Sequence, residues 1–270
     1  HGVGAAGRAA LEAPATAGQD GVKPIPALDA PSRPAPGERC RLPRRPEALP
    51  STAMASSSLS PACAKPRLRG VSHQYAFYAA AVLGTALVLV ADGARARVGA
   101  LVYVAGICGL FGTSALYHRR SWSPAAARWM RRADHSMIFC FIAASYTPFA
   151  LLVLDGTLAI VLLVVVWSGA VAGIVLKLLW LDAPDWLGAL LYVVLGWTAV
   201  AAGPALYSAL GPLRMGLLAA GGILYTVGAV VYARQRPDPS PRVFGYHEIF
   251  HVLVIAAAAV HFTVIVGVVA

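Results

Sequence analysis

Charge is the scarcest property of this 270-residue chain. Asp, Glu, Lys and Arg make up 13% of it, against 58% hydrophobic residues. A soluble domain carries about a quarter charged residues. The shortage excludes an ordinary soluble class, and with a mean hydropathy of +0.67 the chain reads as a polytopic helical membrane protein. Acidic residues are scarcer still, 12 against 22 Lys and Arg, for a net charge of +10. The basic residues flank apolar runs or sit near the N-terminus. Membrane orientation therefore explains them better than nucleic acid does, and no nucleic-acid partner is expected. The four cysteines, Cys40, Cys63, Cys108 and Cys140, show no paired spacing. Two of them fall inside apolar runs, which argues against a disulfide framework and a Cys-type zinc site. Residues 1–70 have few large apolar side chains and no signal-peptide core. Their Ala, Pro, Ser and Arg content reads as a disordered basic tail. An organelle transit peptide is the other reading of that stretch, and Glu12, Asp20, Asp29, Glu38 and Glu47 weigh against it. There is no internal repeat and no sustained heptad.

What the chain does have is apolar runs. Residues 71–270 read as one seven-transmembrane domain, with spans near 74–91, 98–118, 134–154, 157–180, 186–206, 213–233 and 247–269. Each is close to the ~20 residues that cross the hydrocarbon core. Asp155-Gly156 supplies a tight turn between the third and fourth. With the N-terminus cytoplasmic, the inner side collects Lys65, Arg67, Arg69, Arg119, Arg120, Arg128, Arg131, Arg132, Lys177, Arg234, Arg236 and Arg242. The outer side collects only Arg95, Arg97 and Arg214. This positive-inside bias predicts an all-α bundle with its N-terminus inside and its C-terminus outside.

That topology brings polar residues to one depth. The second span ends at the inner face in Ser114-Ala115-Leu116-Tyr117-His118, the third begins there with Asp134-His135-Ser136, and the seventh with His247-Glu248-Ile249-Phe250-His251. Residues four apart share a helix face, so Ser114 lies a turn deeper than His118, and His247 sits above His251. His118, His247 and His251 would suit zinc, with a fourth position open for water. Asp134 would accept or orient a proton of that water, and Ser114 would hydrogen-bond to the water or the substrate.

Each residue has a plainer role to weigh. His118 alone reads as a solvated interfacial side chain, and Asp134 alone as a helix N-cap facing arginines. His73 and His135 read as interfacial, with His135 a lesser ligand alternative. His261, about 15 Å along the helix from His251, is too far for the same ion and reads as an interior hydrogen-bonding group. Pro148 is expected to kink the third span, or is simply a tolerated membrane proline. The string His247-Glu248-x-x-His251 also matches the H-E-x-x-H protease pattern, which would make Glu248 a general base. The third ligand from another helix favours Glu248 as a bystander.

Ser114-Ala-Leu-Tyr-His118, Asp134-His135-Ser136, Ser145-Tyr-Thr-Pro-Phe149 and His247-Glu-Ile-Phe-His251, followed by His261-Phe262, occur in this order. Together they resemble the hemolysin III family, within the progestin and adipoQ receptor superfamily, over roughly residues 70–270. The resemblance implies zinc held by His118, His247 and His251, with Asp134 and Ser114 beside it, and an N-terminus inside. It leaves the activity open. It implies a zinc-dependent, ceramidase-like hydrolase of lipid amides or a membrane-homeostasis protein, in the plasma membrane, with a lipid as substrate or ligand. The alternatives are a receptor or sensor with a structural zinc, and a pore-forming, haemolytic cytolysin.

Overall fold

The computed structural model describes residues 65–270. The N-terminal tail up to residue 64, with Cys40 and Cys63, lies outside the described residues. Residues 65–70, placed by composition at the end of that tail, form a turn. In it the Arg67 and Leu68 N–H groups donate to the Arg242 and Val243 carbonyls at 3.0 and 3.2 Å.

The described chain is helical, with an isolated bridge between Ser240 and Phe244 as its extended pairing. The α-helices are α1 Val71–Val90, α2 Gly93–Arg119, α3 Pro124–Leu152, α4 Gly156–Leu179, α5 Asp185–Gly196, α6 Gly203–Arg234 and α7 Tyr246–Val269. A 3₁₀ segment, Trp197–Ala202, joins α5 to α6. Six helical stretches are long and apolar enough to cross a membrane, one of them the 50-residue run Asp185–Arg234. Large apolar side chains such as Val82, Leu89, Ile160, Val164 and Val171 face outward. A bilayer is the solvent that accepts such a surface, since the helices satisfy their own backbone groups. Within the described residues the protein is a multi-pass helical bundle.

Three boundaries differ from the sequence expectation. The polar stretch after Arg120 is mostly helix. Ser123 caps α3, its hydroxyl accepting from the Ala126 N–H at 3.4 Å, and Pro124 fills the first turn, where a missing N–H does no harm. Asp134 is therefore not the N-cap of the third span; it lies about three turns inside α3. The helix also continues through Tyr207–Leu210, and the break falls at Gly211, with φ 76°. Pro212 bars its predecessor from the α region, and glycine takes the left-handed conformation at little cost. Lastly, Trp197–Ala202 winds as 3₁₀ rather than α.

Tyr146 from α3 secures that last irregularity. Its hydroxyl donates to the Gly196 carbonyl and accepts from the Ala199 N–H at 3.0 Å. Tyr146→Phe is expected to destabilise the fold by about 1–3 kcal/mol, since it leaves buried backbone groups unpaired. A lowered unfolding midpoint in detergent would report this, and an unchanged midpoint would remove Tyr146 from the account.

The packing brings the candidate residues together. α2 lies between α1 and α3, α4 packs on α3, and α6 pairs with α7. α7 then closes against α1, α2 and α3. The core is aromatic and aliphatic, with Tyr103, Phe139, Val166 and Ile265 fully buried. Small residues permit the close approaches: Gly99 leaves its helix backbone against Pro148, where a Cβ would meet the Pro148 Cα at 3.3 Å.

Candidate metal centre

The start of α7 is held by charge as well as by its backbone. Glu248 completes a capping box, one carboxylate oxygen accepting from the Gly245 N–H at 2.8 Å. The other oxygen pairs with Arg69 at 2.5 Å. Glu248 is 1% exposed, so breaking this pair would strand a buried charge. Arg69→Ala is expected to cost about 3 kcal/mol of stability, read as a lower unfolding midpoint. Glu248 thus anchors the helix that carries two of the histidines.

On the adjoining face, His118, His247 and His251 each present a ring nitrogen, all within 4.8 Å of one another. The Nε2 atoms of His118 and His247 are 3.2 Å apart. Two imidazoles on one tetrahedral zinc, each at about 2.0–2.1 Å, have nitrogens separated by about 3.3 Å. The spacing and the all-nitrogen donor set therefore fit zinc. The Asp134 carboxylate stands 3.9 Å from His118 Nε2, and the buried Ser114 hydroxyl lies beside that carboxylate. The five residues singled out in the sequence meet at one place. His261 does not join them; its Nε2 bonds the Leu218 carbonyl at 3.0 Å.

His73 departs from the interfacial expectation. It is buried at 2% exposure, and its ring stacks on His251 with centroids 3.7 Å apart. Neither of its nitrogens has a protein partner among the described residues. An expectation of an interfacial position rests on a first span beginning near residue 74, but α1 starts at Val71 and carries His73 within its first turn. A histidine opening an apolar helix was the available signal. His135 is half-buried and its carbonyl accepts from Tyr192 Oη at 3.2 Å. Lys177, counted with the inner loop charges, lies within α4 and is 3% exposed.

A cavity of about 220 Å³ adjoins the histidines. Ser114, Asp134, His247 and His251 line it together with apolar side chains such as Phe141, Phe149 and Leu218. The lining also includes His261, which lies about 15 Å further along α7 than His251.

The fold and the cluster define a multi-pass integral membrane protein with a three-histidine, metal-competent centre. The sequence pattern of the family described as "Haemolysin-III related" matches residues 62–262, and the chain belongs to that family. It is 40% identical over 129 residues to "Hemolysin-3 homolog" of Bacillus subtilis (strain 168), covering 48% of this chain and 58% of that protein. It is 36% identical over 129 residues to "Hemolysin-3" of Bacillus cereus, covering 48% of this chain and 56% of that one. The chain thus spans little more than half the length of these two curated relatives. It is also 28% identical over 216 residues to human "Monocyte to macrophage differentiation factor", covering 78% of this chain and 87% of that protein. No solved structure matches the chain.

Proposed function

We propose that the protein is a zinc-dependent intramembrane hydrolase acting on a lipid amide or ester. The observation that carries this reading is the juxtaposition of three histidine nitrogens with one buried carboxylate on the wall of a mostly apolar cavity. His118, His247 and His251 would hold the metal. Zinc, when bound, supplies a Lewis acid for a carbonyl oxygen and acidifies water. Asp134 receives the proton of the attacking water and later returns it to the leaving group. Ser114 fixes the carboxylate from one turn deeper. The apolar cavity takes the lipid chain and excludes bulk water. Glu248 is no general base here, because both its oxygens are engaged by Gly245 and Arg69.

The bundle crosses the membrane seven times in this proposal, with the fifth span running from α5 through the 3₁₀ segment into the first turns of α6, and the sixth formed by the part of α6 after the break at Gly211. A single crossing by fifty helical residues would be about 75 Å long, well over twice the ~30 Å hydrocarbon core. The excess of loop Lys and Arg on one side supports an orientation with the N-terminus and the metal centre at the cytoplasmic face and the C-terminus outside; the plasma membrane is the membrane proposed.

The test is turnover by the purified protein across a panel of long-chain amides and esters. Fatty-acid release that stops on chelation and returns with zinc is expected. Stoichiometric zinc with no turnover on any member would overturn the hydrolase. A second reading, a receptor or sensor with a structural metal, is supported by the ligands coming from both α2 and α7, which one ion would tie together. It predicts that chelation loosens the bundle without ending any chemistry. A pore is less supported, because the lining of the cavity is chiefly apolar.

A further inference from the structure

Lys177 makes no ion pair among the described residues, although Asp185 lines the same cavity. The lysine sits in the last turns of α4, is 3% exposed, and lines the cavity. Among the described residues no carboxylate lies within 4.0 Å of its ammonium. The nearby acids are engaged elsewhere. Asp185 accepts from Tyr232 Oη at 3.2 Å and Gln235 Nε2 at 3.3 Å, and Asp182 pairs with Arg131 at 3.1 Å. The Lys177 side chain is buried, and lysine inside a membrane bundle marks a ligand path by default.

The surroundings make room for a ligand. The ammonium rests against the backbone of α5 at Gly188, where a Cβ would lie 3.0 Å from Nζ. The start of α5 has Pro184 at its N-cap and no side-chain cap, so the positive end of its dipole adds to the charge. Basic pockets between membrane helices on the inner side suit anionic headgroups. Lys177 lines the same cavity as Asp134 and His247, so a headgroup held at Lys177 and the metal centre share one cavity.

We infer that Lys177, backed by the start of α5 at Gly188, binds the phosphate of an anionic membrane lipid inside the cavity. The assignment names the lipid class for the proposed hydrolase; it rests on that reading for the chemistry but not for the binding.

The experiment titrates the purified full-length protein, wild type, Lys177→Met and Lys177→Arg, with three probes. These are short-chain phosphatidylglycerol, short-chain phosphatidylcholine and inorganic phosphate, with binding read by native mass spectrometry and zinc content measured on the same samples. Wild type should prefer phosphatidylglycerol over both other probes. Lys177→Met should weaken that lipid by about tenfold or more, the loss expected for one charge-assisted hydrogen bond, with zinc unchanged. Lys177→Arg, which keeps the charge, should retain most of the affinity. Equal phosphatidylglycerol affinity in wild type and Lys177→Met would overturn the assignment. So would inorganic phosphate binding as tightly as the lipid, or Lys177→Met losing lipid and zinc together. A protein with no zinc but Lys177-dependent lipid binding would sink the hydrolase and leave this site standing.

Discussion

Replacing His118 or His251 by alanine is expected to weaken zinc binding by about 100-fold or more. Apparent free energies of zinc sites, about 10–16 kcal/mol, shared over four ligands give about 3 kcal/mol for each. The two substitutions act from helices with no sequence proximity, yet the ring nitrogens of α2 and α7 converge within 4.8 Å. Equal losses from both would therefore report one shared ion. His261→Ala serves as the control. That imidazole is committed to the Leu218 carbonyl at 3.0 Å, so its removal should leave zinc in place. Titration with a competing chelator measures all three. Retention of full affinity in either His118→Ala or His251→Ala would break the site as drawn.

Asp134→Asn separates chemistry from scaffolding. Asparagine keeps the shape and the contact with Ser114 but cannot take up a proton at neutral pH. Turnover should fall by about 10²–10⁴-fold, the range for removing a general base, with zinc and unfolding midpoint near wild type. If the metal is structural, the same variant keeps its cellular activity. The assay is initial rate per bound zinc, so that metal loss cannot pass for lost proton transfer. Glu248→Gln gives the complementary result: turnover is retained, because the amide still accepts from the Gly245 N–H, while stability falls with the Arg69 pair.

Much of the bundle was legible because hydropathy and charge act locally. A run such as Gly156–Leu179 declares a membrane-spanning helix whatever it packs against. The metal-competent histidines were legible for a related reason: helical spacing puts His247 and His251 on one face, and a shared depth brings His118 to them. What escaped was set by neighbours distant in sequence. The 3₁₀ turn at Trp197–Ala202 exists where Tyr146, on another helix, offers its hydroxyl. His73 looked interfacial until α7 was packed over it, and Glu248 looked idle until Arg69 was found against it. Lys177 was counted with the inner-side charges although it lies within the 157–180 span, because a tally of charge by side does not show that a lysine near a helix end is buried against other helices. Asp134 passed for a cap because the Ser123-Pro124 start signal lies in a stretch that reads as polar loop.

Zinc K-edge X-ray absorption on the detergent-purified protein tests the central claim most directly. The account predicts about one zinc per chain, with a first shell of nitrogen and oxygen near 2.0–2.1 Å and the outer-shell pattern of three imidazoles. A chain purified without zinc, a sulfur shell near 2.3 Å, or fewer than three imidazoles would contradict it.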